Sequence, residues 1–210
     1  MNDALNIVKD WAIVTVPRTG SHYLQERLFV HTGHVVLKYH EPKPQTWGYA
    51  IGGLLNNNAR FWSGLEIGQL KMITIARDPK DLLISDITMA IKQKHRNFED
   101  ISLLQIKDIQ DRANQYCDHY TKLSSQSKII VDYDQLVSYP FETTCHIANL
   151  LNIKIITEKY KTKLKDYKNG YMVSSKNASG YDVIKEAVGQ VDLFKFYEAY
   201  DKIKSKCISL

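Results

Sequence analysis

The sequence predicts an α/β fold: a central parallel sheet with helices on both faces. Three observations carry that prediction. Short apolar runs rich in β-branched residues alternate with longer stretches of helical periodicity. Each run ends in a turn signal followed by a helix start, the order expected of right-handed βαβ units. No repeat, linker or Pro/Gly/Ser-rich break divides the 210 residues, so one domain over residues 1–210 with about four to five strands is expected. A chain of this size removes roughly 70% of its surface from water on folding, enough for one core.

Trp11–Val16 (WAIVTV) reads as a buried parallel strand. Pro17-Arg18-Thr19-Gly20 breaks it, and Ser21 is placed to cap a helix whose Leu24 and Leu28 share a face. Val35–Lys38 is a second strand, stopped by Pro42 and Pro44. Gly48–Leu55 and Phe61–Leu70 are mixed in pattern and read as weakly helical. Lys71–Ala76 is a third strand. Asp78-Pro79 then starts a helix to about Lys94, with Asp as cap and Pro at the first helical position. A further helix covers about Leu103–Leu123, and Lys128–Tyr133 is the fourth strand. Pro140 opens a helix through Ile147, Leu150 and Leu151, and the tail, about Tyr181–Lys204, is helical.

Composition excludes several classes. A hydrophobic fraction of 44% with 10 Gly and 5 Pro is neither disordered nor collagen-like. No apolar run approaches the ~20 residues of a membrane helix, so no membrane partner is expected. Met1-Asn2-Asp3-Ala4 has no basic region and no apolar stretch, so no signal peptide is expected. Three cysteines, Cys117, Cys145 and Cys207, lack CxxC spacing. They point away from a disulfide scaffold or a zinc site and towards the reducing cytoplasm. His31 and His34 have ligand-like spacing, but nothing near them completes a metal site. The net charge is +5, and residues 154–185, with eight lysines and three acids, account for all of it. Such a segment suits a small anionic ligand, weak nucleic-acid contact or a plain solvated face.

In parallel sheets of this kind ligands bind beyond the carboxyl ends of the strands. The residues there are Pro17–Tyr23, Tyr39–Pro42, Arg77–Asp81 and Asp132–Leu136. The first loop, VPRTGSHYL, joins a strand to a helix N-terminus through a glycine turn, where backbone N–H groups and the helix dipole favour an anion. Arg18 adds a full charge and Ser21 a hydroxyl. It is neither a GxxxxGK[ST] loop nor a GxGxxG loop. In the second loop Arg77 ends a strand, and Ser85 follows about two turns into the next helix. Two anion loops at neighbouring strand ends suit a ligand with two separated phosphates.

Pro17-Arg18-Thr19-Gly20-Ser21, followed by Arg77-Asp78-Pro79-Lys80-Asp81 and Ser85, resembles the sulfotransferases that use 3′-phosphoadenosine-5′-phosphosulfate (PAPS). Lys38-Tyr39-His40 matches that family's Lys-x-His, and Tyr133-Asp134-Gln135-Leu136 echoes its later Tyr-Glu-Asp-Leu segment, with Pro140 following. The resemblance covers about residues 11–152 and implies a P-loop-like three-layer fold without a Walker lysine. It implies that Arg18 and the amides of Thr19, Gly20, Ser21 and His22 hold the 5′-phosphate and the sulfuryl oxygens. Tyr23 stands where cytosolic members carry an adenine-stacking Trp, and Tyr133 would line the adenosine site. Arg77 and Ser85 would hold the 3′-phosphate, a bidentate task that suits the planar guanidinium.

His40, an imidazole with an ordinary pKa near neutrality, would be the general base, with Arg18 and Lys38 beside it in the catalytic set. Glu41 is the alternative base, since some carbohydrate and tyrosine sulfotransferases use a glutamate. The Arg18 form of the first loop is nearer bacterial and carbohydrate-type members than the cytosolic steroid and phenol enzymes, which carry Lys there. Their C-terminal Arg-Lys-Gly loop is absent, and Ser175 and Lys176 would stand in for it.

The implied reaction is in-line sulfuryl transfer from PAPS, without a metal, to a hydroxyl or amine of a small-molecule or carbohydrate acceptor. No nucleic-acid partner is expected, and the oligomeric state is open. Two other classes compete: a nucleoside or small-molecule kinase on the related fold, and a non-catalytic nucleotide-binding relative. The missing Walker lysine and the lack of a magnesium-holding Asp count against the first. Intact Arg18, His40, Arg77 and Ser85 count against the second.

Overall fold

The structure is a computed structural model and describes residues 6–40, 47–50, 59–62, 67–93, 100–156 and 180–210. The elements in chain order are β1 (Asn6–Thr15), α1 (Ser21–Thr32), β2 (His34–His40), β3 (Trp47–Ala50), β4 (Ala59–Trp62), β5 (Lys71–Ala76), α2 (Pro79–Lys92), α3 (Ile106–Gln126), β6 (Ser127–Asp132), α4 (Tyr133–Ser138), α5 (Pro140–Leu150), α6 (Tyr181–Gly189) and α7 (Phe194–Lys204).

These strands form one sheet in the order β4-β3-β2-β1-β5-β6. The four strands β2, β1, β5 and β6 are parallel, as the sequence predicts. β3 and β4 extend the β2 edge antiparallel, through Lys38 opposite Tyr49 and Trp47 opposite Trp62. The helical reading of Gly48–Leu55 and Phe61–Leu70 is therefore corrected for the residues described there. Aromatic-rich WGYA and ARFW pair across strands, and a 3-10 turn at Ile67–Gln69 is the described helical piece. Cross-strand partners, which local periodicity does not reveal, decide such segments.

Alternation along the parallel strands builds the three layers. Ile13, Val36, Ile73, Ile75, Ile129 and Val131 face α1, α4 and α5, meeting Leu24, Leu28, Leu136 and Ile147. Ala12, Val14, Val35, Leu37, Met72 and Ile130 face the other way, towards α2, α3, α6 and α7. On α3 the buried face is Ile109, Ala113, Tyr116, Tyr120 and Leu123. That spacing is what a helix lying on a sheet requires. Gln25 of α1 donates to the carbonyl of Val36 at 2.6 Å and fixes α1 against β2. Gly33 ends α1 at φ 71 and donates to the carbonyl of Phe29, so β2 begins at once.

The tail differs from the single helix expected. Gly189 ends α6, and Asp192 accepts from the amide of Phe194 to start α7. Ile208 beyond it donates to the carbonyl of Ile130 at the β6 edge, which blunts an exposed strand.

Candidate functional site

Parallel strands put the loops after β1, β2, β5 and β6 on one edge. The chain leaves β1 for β2 on one side, and β5 lies on the other, so β1 marks the point where ligands settle in such sheets. In the first loop Thr19 is fully buried and its hydroxyl donates to the carbonyl of Val16 at 3.0 Å. Arg18 sits at φ 67, a left-handed conformation that a non-glycine residue holds only when its surroundings impose it. Ser21 is not the cap expected of it: α1 begins at Ser21, and Gly20 occupies the cap position at φ 88 with no side-chain cap bond. The reason is steric. A Cβ at Gly20 would lie 3.0 Å from Cε2 of Tyr133, so the turn takes glycine, and the first-turn amides of α1 have no capping side chain.

The second loop is built around Arg77. Asp78 caps α2 by accepting from the amide of Asp81 at 3.0 Å, and the Tyr197 hydroxyl donates to the same carboxylate at 3.2 Å. Pro79 fills the first helical position, as expected. The Arg77 guanidinium donates from Nη1 to the carbonyl of Arg18 at 2.6 Å and lies 4.4 Å from the Tyr133 ring centroid. Arg18 in turn reaches Oγ of Ser85 from Nε at 3.5 Å, and Ser85 is buried on α2. The predicted Arg18, Gly20, Arg77, Ser85 and Tyr133 thus come together from three strand ends.

Burial lowers the Arg18 pKa; Asp86 opposes that and Arg77 adds to it. Asp86 itself is ion-paired at 2.9 Å with Arg112. Among the described residues neither Arg18 nor Arg77 forms an ion pair, so two adjacent guanidinium groups face one strand-end edge. An anion with several oxygens answers that arrangement.

Sequence reasoning missed what holds Arg77 in place. The fully buried Tyr120 hydroxyl accepts from the Arg77 amide and donates to the Arg77 carbonyl, both at 2.9 Å. Burial pushes the phenol well above its ordinary range, so it stays a neutral hydroxyl. The helical spacing of α3 marks Tyr120 as core, but no sequence signal says where its hydroxyl points. Tyr120→Phe leaves two part-buried backbone groups of Arg77 without this partner and should lower unfolding free energy by about 1–3 kcal/mol in denaturant melts. A loss below about 0.5 kcal/mol, the usual scatter of surface substitutions, would mean the two bonds matter little.

The third part comes from β2. Val36, Lys38 and His40 alternate onto the α1 face, and Lys38 is buried. Its Nζ lies between two imidazoles, hydrogen-bonded to Nε2 of His22 and, at 3.1 Å, to Nε2 of His40. The two rings stack with centroids 6.0 Å apart and 28° between planes. Burial lowers the Lys38 pKa to about 7; Glu26 opposes that and Arg18 adds to it. Burial also lowers His22 to about 2, with Lys38, His40 and Arg18 acting in the same direction. Burial raises the Glu26 carboxyl to about 7, against the pull of Arg27 and Lys38. The expected Lys38 and His40 therefore do meet, and His22 joins them through its ring, a contact the sequence reading did not include. Tyr23 lies on α1 with the Arg27 guanidinium 4.7 Å from its ring centroid. Glu41, Ser175 and Lys176 lie outside the described residues.

A family model described as sulfotransferase domain matches residues 62–190, more than half of the chain. The chain belongs to the sulfotransferase family. The matched stretch of the sulfotransferase carries Arg77, Ser85 and Tyr133; Arg18, Lys38 and His40 lie before it. Comparison with curated proteins and with solved structures gave no match. Among the described residues no helix is long and apolar enough to cross a membrane, and no group of His, Cys, Asp and Glu could hold a metal ion.

Proposed function

We propose that this sulfotransferase moves a sulfuryl group from PAPS to a hydroxyl, or an amine, of a small-molecule or carbohydrate acceptor. The observation that carries this reading is the pair of linked anion loops. Arg18 and the open N-terminus of α1 form one, Arg77 and Ser85 the other, and the Arg77–Arg18 bond at 2.6 Å joins them. Two neighbouring cationic loops suit a nucleotide phosphorylated at both the 5′ and 3′ positions. Tyr133, wedged between Gly20 and the Arg77 guanidinium, offers an aromatic face beside it.

PAPS brings a sulfuryl group on a phosphate that leaves as a stable anion, so the protein has little acid catalysis to supply. Arg18 and the amides of Thr19–His22 bind the 5′ side, and Arg77 with Ser85 binds the 3′-phosphate. Lys38 supplies positive charge where negative charge spreads over the sulfuryl oxygens. His40 takes the acceptor proton as the new O–S bond forms. The old S–O bond breaks with its electron pair going to the phosphate oxygen, and adenosine 3′,5′-bisphosphate leaves.

Ligand choice tests the reading. At about 100 times its Kd, adenosine 3′,5′-bisphosphate should stabilise the fold by about 2.7 kcal/mol, and Tm should rise by roughly 5–10 °C. AMP and ADP at the same concentrations should shift it less. Equal shifts for AMP and the bisphosphate remove the case for a 3′-phosphate site.

A further inference from the structure

We propose that His22 is a positioning residue of the transfer site: its Nε2 takes one N–H of Lys38 and aims the amine at Nε2 of His40, so that the donor's sulfuryl group and His40 compete for the same amine. The proposal rests on the reaction proposed above and concerns the control of its base. Lys38 Nζ lies 3.1 Å from Nε2 of His40 and is bonded on its other side to Nε2 of His22. A lysine side chain on a strand is long and has many rotamers, and holding one of them needs a second contact. His22 provides it from the second residue of α1, with its ring stacked on that of His40.

The consequence is chemical. While the Lys38 ammonium donates to His40, the lone pair on that Nε2 is engaged and cannot take an acceptor proton. A sulfuryl group bound at the first loop offers Lys38 stronger, charged acceptors. Moving there, Lys38 gives the Nε2 of His40 back to the acceptor hydroxyl. The base is thereby released only when donor is in place.

The groups facing Lys38 among the described residues are His22 and Glu26 from α1, His40 from β2 and Arg18 from the first loop. His22, held near a pKa of about 2, stays neutral at working pH, and its Nε2 accepts from Lys38 while Nδ1 carries the ring proton. Lys38 must be charged to serve the sulfuryl oxygens, so activity falls as pH rises through its pKa, which is about 7 in the free protein. Removing the His22 acceptor makes the ammonium harder to keep and moves that basic limb to lower pH.

Two experiments decide it. The first compares the pH profile of kcat/KM for the wild type, His22→Leu and His22→Gln. Leu keeps the volume but not the acceptor; Gln keeps an acceptor oxygen at similar reach. His22→Leu should lose roughly 10–100-fold at neutral pH and shift the basic limb down by about one unit, the sizes expected for a lost charged hydrogen bond. His22→Gln should recover to within about threefold. A Leu variant equal to wild type in both rate and profile, or a Gln variant as impaired as Leu, overturns the proposal.

The second needs no turnover. Imidazole 15N resonances of the two histidines in the intact free protein should both move in Lys38→Met, and the His40 Nε2 signal of the wild type should move on adding PAPS without acceptor. Unmoved His22 and His40 signals in Lys38→Met overturn it. Absence of sulfated product from the wild type would sink the proposed reaction, while the 15N shifts still decide where Lys38 is held.

Discussion

Arg77→Ala should weaken adenosine 3′,5′-bisphosphate binding by about 1.5–3 kcal/mol, a roughly 10- to 150-fold rise in Kd by calorimetry. Arg77 combines a charge with two side-chain contacts. It carries a charge at the end of β5, it bonds the carbonyl of Arg18 at 2.6 Å, and it lies 4.4 Å from the Tyr133 ring centroid. The Arg18 contact makes AMP the informative control. If Arg77 serves the 3′-phosphate, AMP binding barely changes. An equal loss for AMP and the bisphosphate would mean that Arg77 acts by holding the strained Arg18 backbone in place. Arg77→Lys should fall between the two, since it keeps the charge but loses the planar fork and most of the ring contact.

The parallel core and the helix starts were legible because they follow from local rules. Asp78-Pro79 and Pro140 announce helices at the places observed, and β5, the run before Asp78, is buried along five of its six residues, as a parallel strand is. β3 and β4 were not legible, because WGYA and ARFW owe their strand state to each other and to the β2 edge. The break between α6 and α7 was readable in principle from Gly189 and Asp192, but the flanking apolar residues keep helical spacing and mask it. In the site, the residues on strand ends were found and their supports were not. Tyr120 sits 43 residues from the backbone it bonds, and His22 reaches Lys38 across α1 and β2. Sequence shows that a side chain can donate or accept; only the fold says to whom.

His40→Ala should cut sulfotransfer by about 10²–10⁴-fold while leaving bisphosphate affinity nearly unchanged. The split follows from placement. His40 ends β2 and bonds Lys38, whereas the phosphate-binding residues proposed for the nucleotide, Arg18, Arg77 and Ser85, come from the ends of β1 and β5 and from α2. Removing the imidazole takes away the proton acceptor and also the second partner of Lys38. The amine then keeps its bond to His22 and remains available to the sulfuryl oxygens. Ground-state binding of the donor should therefore persist, or tighten slightly, while kcat falls, the pattern of an interaction made only in the transition state. Glu41→Gln is the matched test, because it removes the alternative base while keeping shape. Full turnover in His40→Ala together with its loss in Glu41→Gln would assign the base to Glu41 and leave His40 as a partner of Lys38. Loss in both, with the acid limb of the kcat profile moved only by Glu41→Gln, would make His40 the base and Glu41 the group that tunes it.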